Sequence, residues 1–157
     1  MSLTIRRGQP GDAGAVIEFN RRLAEETEGK ALDAAVLAAG VAAVLADPAR
    51  GLYFLAESGG EVAGQLMLTF EWSDWRNGWV WWIQSVYVRA DVRRRGVFRA
   101  LYEHVERAAR QDPGVVGLRL YAERENVAAQ QTYLRMGMRW TSYQVLEATW
   151  SASGGGD

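Results

Sequence analysis

The chain has 157 residues, 48% of them apolar, and a formal net charge of −1, which predicts one domain with a substantial core rather than a nucleic-acid-binding protein with a basic excess. It contains no cysteine and a single histidine, which excludes disulfides, a cysteine nucleophile and metal sites built from thiolates or several histidines. No apolar run is long enough to span a bilayer, and residues 1–7 lack the apolar stretch of a signal peptide. We therefore expect a cytoplasmic protein with no membrane partner and no metal.

Hydrophobic periodicity predicts an alternation of strands and helices along the chain. Period-two apolar stretches predict six strands, at residues 3–6, 52–57, 62–72, 79–88, 115–122 and 140–149. Apolar residues at helical spacing predict four helices, one with Asp12 as N-cap and three at residues 33–45, 95–110 and 126–136. Residues 74–78 predict a turn, with Asn77-Gly78 as its hairpin signal. The single histidine, His104, falls among charged residues of the third helix and is expected at the surface.

The order of these elements, with hairpins first and one strand–helix–strand crossover later, predicts a single α/β domain (α+β in some schemes) over residues 1–150. Its sheet should be mixed but mostly antiparallel, with six to seven strands and helices on both faces. Residues 151–157 are rich in glycine and serine and are expected to form a disordered tail.

A strand, an arginine-rich turn and a helix follow one another at residues 85–101, and this is the most informative stretch of the chain. The turn is Arg93-Arg94-Arg95-Gly96-Val97-Phe98, with a further basic residue at Arg99. A helix N-terminus carries unpaired backbone N–H groups and the positive end of the helix dipole, and therefore favours anions such as phosphates. Considered alone, the stretch fits either such a site or a solvated basic loop. It lacks the residue spacing of a Walker loop and the glycines of a dinucleotide fingerprint.

The same turn resembles the coenzyme A loop of the GNAT superfamily of N-acetyltransferases, whose pattern is Gln/Arg-x-x-Gly-x-Gly/Ala. It departs from that pattern at Phe98, where the family has a small residue, so that we expect the ring to point away from the ligand into the core. A second segment, residues 126–138, is similar to the family's Asn-x-x-Ala-x-x-x-Tyr-x-x-x-Gly-Phe, with Met138 in place of phenylalanine. The resemblance covers the chain before its tail and is strongest over residues 79–138.

The resemblance implies a GNAT-like domain that uses acetyl-CoA as cosubstrate and transfers its acetyl group directly to an amine. The fourth strand would splay from the fifth, and the pantetheine arm would pair with the backbone of Val86, Tyr87 and Val88. The pyrophosphate would bind the N–H groups of residues 93–99, with the arginines as electrostatic support. Asn126 would lie near the pantetheine or cap its helix.

The resemblance also implies a general acid at Tyr133, which would give a proton or a hydrogen bond to the leaving thiolate. The alternative for Tyr133 is an aromatic residue buried on the inner face of its helix. A base must take a proton from the substrate ammonium, and the candidates are Glu71, or Gln84 acting by orienting a water. Asp74, Glu25 and Glu26 are further carboxylates that could line an acceptor site, and the alternative for each is a solvated surface charge.

Five of the seven tryptophans fall within residues 72–82, around the Asn77-Gly78 hairpin. We expect them to pack across the strands, and the alternatives are a homodimer contact or an acceptor pocket for a cationic amine. The acceptor itself could be a small molecule or a protein amine. Two other functions remain open: a regulatory module that binds coenzyme A without catalysis, and a nucleic-acid-binding protein, which the net charge disfavours.

Overall fold

The computed structural model describes residues 1–150. They fall into two compact units, the first ending at Leu120 and the second beginning at Tyr121. Each unit is built from the elements predicted for its part of the sequence, with one exception near the end of the second.

The first unit is organised around a five-stranded sheet with the strand order β1-β2-β3-β4-β5. Neighbouring strands are antiparallel from β1 to β4, and β5 runs parallel to β4. The mixed, mostly antiparallel sheet is therefore as predicted. The strands are β1 (Thr4–Arg7), β2 (Leu52–Ser58), β3 (Glu61–Ser73), β4 (Gly78–Val88) and β5 (Val115–Leu120).

Three helices of this unit, α1 (Ala13–Glu28), α2 (Ala34–Ala46) and α3 (Val97–Gln111), pack against the sheet. Alternate residues of β2 show that they cover both faces, because successive side chains of a strand point to opposite sides. Tyr53 and Leu55 belong to a buried cluster with residues of α1 and α2, whereas the ring of Phe54 lies 5.3 Å from that of His104 in α3. Helices on both faces were predicted, and these contacts place them there.

Two local predictions in this unit need correction. Asp12 stands at the N-cap position of α1 but makes no side-chain cap hydrogen bond, because its carboxylate is occupied by Arg6, with oxygens 2.7 and 2.8 Å from the guanidinium. His104 was expected at the surface. It is instead half-buried against Phe54, since its position on α3 faces β2, and this burial lowers its pKa.

The second unit contains α4 (Val127–Arg135), close to the predicted span. The strand predicted at residues 140–149 is wrong: this segment has no regular secondary structure, and all of its residues are exposed. A strand forms only when another strand pairs with it, and within residues 1–150 this segment has no such partner. The described sheet therefore has five strands rather than six to seven. The predicted disordered tail at 151–157 lies outside the described residues.

Within the described part of the chain, no helix combines the length and the apolar character needed to cross a membrane.

Candidate acetyl-CoA site

The carboxyl-terminal end of β4 carries a bulge. Met67 of β3 pairs with Gln84 of β4, but the next residue on the same face of β3, Gln65, pairs with Tyr87. Between these two pairs the chain advances two residues along β3 but three along β4. The extra residue of β4 is accommodated at Ser85, which has a φ of 50°. Such insertions bend a strand and re-aim its backbone groups.

The bulge is held from the core by Gln65, which is completely buried. Its amide Nε2 donates a 2.9 Å hydrogen bond to the backbone oxygen of Ser85. Its Oε1 has no hydrogen-bond partner within the described residues. A buried amide with a hydrogen bond at only one of its two polar ends lowers the stability of the fold. The presence of such an amide at Gln65 indicates that the geometry of the bulge matters.

Beyond the bulge, one edge of β4 is open. β5 pairs with β4 only along residues 79–83 and ends at Leu120, whereas β4 continues to Val88. No strand of the described chain pairs with residues 84–88 on that edge. Backbone groups of Val86, Tyr87 and Val88, which the resemblance assigns to the pantetheine arm, therefore lie where β4 and β5 have parted.

The arginine-rich turn leads directly into the N-terminus of α3. Gly96 is the N-cap, with a φ of 82°, and Arg94 also has a positive φ, 65°. The N–H groups of Val97, Phe98 and Arg99 are in the first turn of the helix, beyond the reach of its own hydrogen-bond ladder. Leaving aside its own chain neighbours and helix backbone, no heavy atom lies within 4 Å of the point where a Cβ on Gly96 would stand, so there is space beside the N-cap.

The basic side chains of the turn differ in their contacts. All four arginines are exposed, as electrostatic support for an anion requires, and Arg99 lies 3.6 Å from Glu103. Arg93 is instead directed at Glu26 of α1, with Nη2 2.6 Å from Oε1, and its Nε donates to the backbone oxygen of Val88 at 2.9 Å.

Glu26, Tyr87 and Arg93 form a cluster that connects α1 to the end of β4. The Tyr87 hydroxyl donates to Glu26 Oε2 at 2.6 Å, and the Arg93 guanidinium lies 5.3 Å from the centre of the Tyr87 ring. Hydrogen bonds from Tyr87 and then Arg93 lower the pKa of Glu26. The carboxylate is charged and engaged near neutral pH, and is therefore a poor general base.

Phe98, which departs from the family pattern, is half-buried. Its ring centroid lies 5.9 Å from that of Tyr102, one turn further along α3, and Tyr102 is itself buried. The ring thus packs along the helix against Tyr102, and the backbone N–H of Phe98 belongs to the first turn of α3.

The two candidate base positions, Glu71 and Gln84, lie on the same face of the sheet as Gln65 and Tyr87. This is the face that α1 covers. Glu71 Oε1 accepts a 2.8 Å hydrogen bond from Trp82 Nε1 and lies 3.5 Å from an Arg119 nitrogen. The Gln84 amide donates to the Thr69 hydroxyl. Both side chains are therefore oriented by neighbours on adjacent strands.

In the second unit, Asn126 caps α4, and its Oδ1 accepts a 3.2 Å hydrogen bond from the N–H of Ala129. The N-cap role thus accounts for Asn126 without any contact to the pantetheine. Tyr133 lies inside α4 and is half-buried. Burial raises the pKa of its phenol, so that the hydroxyl keeps its proton at neutral pH.

The tryptophans of the hairpin pack across the strands in part. Trp72 and Trp79 form an edge-to-face pair with ring centroids 5.1 Å apart, and Trp81 packs on Phe70 at 6.1 Å. Trp75, in the turn, is 91% exposed.

Sequence analysis missed Gln65 and Ser85, and it gave Glu26 only a minor part as an acceptor carboxylate. Gln65 occupies an alternating position in a strand of ordinary composition, and the extra residue of β4 is defined only by its pairing with β3. No sequence signal marks either. An acidic residue at the end of α1 was visible, but its contact with Arg93 joins positions 67 residues apart.

Comparison with known proteins supports the resemblance. The model of the acetyltransferase (GNAT) family matches residues 17–138. A structure described as a possible acetyltransferase from Clostridium difficile 630 is 41% identical, with a TM-score of 0.90, covering 96% of this chain and 99% of that one.

More distant structures share the fold. A ribosomal-protein-alanine N-acetyltransferase from Brucella melitensis biovar Abortus 2308 is 17% identical, with a TM-score of 0.74, covering 94% of this chain and 100% of the other. A predicted acetyltransferase with acetyl-CoA from Clostridium acetobutylicum is 15% identical, with a TM-score of 0.77, covering 94% and 96%. Among curated proteins, none matches the sequence. Because the family model spans most of the sequence and a 41% identical structure covers nearly all of it, the chain belongs to the acetyltransferase (GNAT) family.

Proposed function

We propose that this protein transfers an acetyl group from acetyl-CoA to a primary amine by direct attack in a ternary complex, in the cytoplasm. The observation that carries the proposal is the arrangement at the end of β4. An open strand edge at residues 84–88 is followed, within one short turn, by the open N-terminus of α3. The edge suits the amides of a pantetheine arm, and the helix N-terminus suits a pyrophosphate.

The residues present fit acetyl-CoA. Backbone N–H groups of Val97, Phe98 and Arg99 would hold the pyrophosphate, because the dipole of a 15-residue helix adds to their own partial charges. Arg94 and Arg95, both exposed, would add attraction at longer range. The Val88 oxygen already accepts from Arg93 but retains a second lone pair for the ligand.

In the proposed reaction the deprotonated amine nitrogen bonds to the thioester carbonyl carbon, the carbon–sulfur bond breaks, and the further proton that the nitrogen loses on becoming an amide goes to the departing thiolate. Glu71 takes a proton from the substrate ammonium, directly or through a water that Gln84 orients. Trp82 and Arg119 both contact Oε1 of Glu71, which keeps the carboxylate in place, and Oε2 would be the oxygen that accepts the proton; both oxygens of Glu26, by contrast, are engaged. Glu71 and exposed Asp74 also favour a cationic acceptor, either a small molecule or a protein amine.

Tyr133 would assist departure of the thiolate. Its pKa is raised by burial, so the phenol is protonated near neutral pH and can donate a hydrogen bond to the sulfur as negative charge develops there. This role follows from the family pattern at residues 126–138.

Calorimetric titration with acetyl-CoA tests the site. We expect one ligand per chain and much weaker binding of an analogue without the pyrophosphate. Arg95→Glu, beside the helix N-terminus, should weaken binding. Arg110→Glu makes the same charge change at the opposite end of α3 and should leave binding unchanged. Absence of binding at near-millimolar acetyl-CoA, or equal effects of the two variants, would contradict the assignment.

A further inference from the structure

The side chain of Arg93 connects the end of β4 to α1. Its Nε donates a 2.9 Å hydrogen bond to the backbone oxygen of Val88, and its Nη2 lies 2.6 Å from Oε1 of Glu26. Both contacts come from one planar guanidinium, whose carbon lies 5.3 Å from the centre of the Tyr87 ring. A single side chain therefore bridges a backbone group of the proposed pantetheine site and a carboxylate of the helix that packs on the sheet.

The Val88 oxygen that Arg93 contacts faces the open edge of β4. The N–H of the same peptide unit, which belongs to Arg89, donates to the backbone oxygen of Ala63 in β3 at 2.9 Å. All peptide bonds in residues 1–150 are trans, and the C=O and N–H of a trans peptide point in opposite directions. The Val88 oxygen thus points away from β3, toward the edge that β5 leaves unpaired beyond residue 83.

Glu26 is a firm support for the guanidinium. It lies in the last turn of α1, and α1 is anchored to the sheet by buried residues such as Phe19, whose ring lies 5.2 Å from that of Tyr87. The second oxygen of Glu26, Oε2, accepts a 2.6 Å hydrogen bond from the hydroxyl of Tyr87, which is itself 4% exposed. Because each oxygen is engaged by a different donor, the carboxylate has one preferred orientation.

The ion pair between Arg93 and Glu26 determines geometry more than stability. The two side chains are 44% and 39% exposed, and exposed ion pairs add little to the stability of a fold. A guanidinium, however, presents several N–H donors in one rigid plane and can hold two acceptors in a fixed relation. Its positive charge is also compensated by the adjacent carboxylate, which weakens any attraction of Arg93 for a distant phosphate.

We propose that Arg93 is a positioning residue for acetyl-CoA: supported by Glu26, it holds the Val88 peptide in the orientation that receives the pantetheine arm, and it is not a ligand of the pyrophosphate. This inference rests on the proposed function, because it assigns a role within the same site. The resemblance to the family groups Arg93 with the other arginines as electrostatic support, whereas its contacts with Glu26 and Val88 give it a separate task.

Calorimetric titration of the full chain with acetyl-CoA tests this role through a substitution that preserves charge. In Arg93→Lys a single ammonium cannot contact both Val88 and Glu26, and we expect the Kd to rise by at least about fivefold, the lower end of typical couplings between sites. Arg21→Lys is the matched control. Arg21 of α1 also binds a carboxylate, that of Glu18, through Nε and Nη2 at 2.7 and 3.0 Å, and its replacement should leave the Kd unchanged.

Removal of the support from the other side should have the same effect. In Glu26→Gln one amide oxygen cannot accept from both Arg93 and Tyr87, so the Kd should again rise. Loss of a negative charge would by itself favour an anionic ligand, and weaker binding therefore reports lost geometry. Glu18→Gln makes the same charge change elsewhere on α1 and should not weaken binding. The double variant Glu26→Gln with Arg93→Lys should bind no more weakly than the weaker single variant, because both act through one contact.

Denaturant unfolding of the same variants distinguishes positioning from a purely structural role. We expect Arg93→Lys and Arg21→Lys to have similar stabilities and different Kd values. If the parent protein binds acetyl-CoA but Arg93→Lys binds it equally well, or if the losses add in the double variant, the inference is overturned while the proposed function stands. A parent protein that does not bind acetyl-CoA would contradict the proposed function itself, and this inference with it.

Discussion

Replacement of Gln65 by leucine should weaken acetyl-CoA binding more than it weakens the fold. Gln65 is fully buried, and its amide holds the Ser85 oxygen at 2.9 Å. That contact fixes the bulge from which the peptide groups of residues 86–88 project. Leucine has nearly the same volume but cannot donate, so Gln65→Leu removes the anchor without opening a cavity.

The stability terms largely cancel. The variant loses one amide–carbonyl hydrogen bond, with a net value of about 0.5–1.5 kcal/mol. It also removes Oε1, which is buried without a partner in residues 1–150 and costs about 1–3 kcal/mol to keep dry. We expect the change in the free energy of unfolding to lie between a loss of about 0.5 kcal/mol and a gain of about 2.5 kcal/mol.

The expected loss of binding free energy exceeds the expected loss of stability. If acetyl-CoA must restore a bulge that Gln65 no longer holds, binding loses about 1 kcal/mol, or roughly fivefold in Kd. Leu66→Ala is the matched control, because Leu66 is also completely buried but its side chain cannot form a hydrogen bond to the Ser85 oxygen. It should cost about 2–5 kcal/mol in stability and leave Kd nearly unchanged. Denaturant unfolding and calorimetry measure the two quantities. An unchanged Kd for Gln65→Leu, or an equal loss for Leu66→Ala, would refute the reasoning.

Three further predictions address catalysis, capping and acid stability. Tyr133→Phe should lower kcat by about 10²–10⁴-fold, as loss of a general acid does, and leave the calorimetric Kd for acetyl-CoA unchanged; unchanged turnover would remove Tyr133 from the mechanism. Asp33→Ala deletes the hydrogen bond from the N–H of Val36 at the start of α2 and should cost about 1 kcal/mol, a fall in Tm of about 2–4 °C that Asp74→Ala, on an exposed turn, should not reproduce. The hydrogen bond from Arg6 holds the pKa of Asp12 below its ordinary 3.8, so its contribution is full above that value and is lost as the pH falls through the folded-state pKa. Arg6→Gln should therefore destabilise the protein at pH 7 more than near pH 2, and equal losses at both would contradict this coupling.

Much of the fold was predictable because its signals are local. Helix α2 begins after Asp33 and α4 after Asn126, as their N-cap residues indicate. The hairpin at Asn77 follows from a residue that tolerates a positive φ. The arginine turn and Gly96 predicted an anion site because a helix N-terminus has the same chemistry in any surroundings.

Other features were decided only by tertiary structure. The bulge at Ser85 is a difference in residue count between two paired strands, so neither strand encodes it alone. Arg93 looked like its neighbours in sequence, but Glu26, brought close by the packing of α1 on β4, gives it a structural contact. Residues 140–149 have the composition of a strand, yet no strand of the described chain pairs with them. The sequence by itself determined most of the elements and the helix start at the arginine turn, because these depend on neighbours a few positions away. The tertiary structure decided register, edges and partners, because those exist only between segments that are distant in the chain.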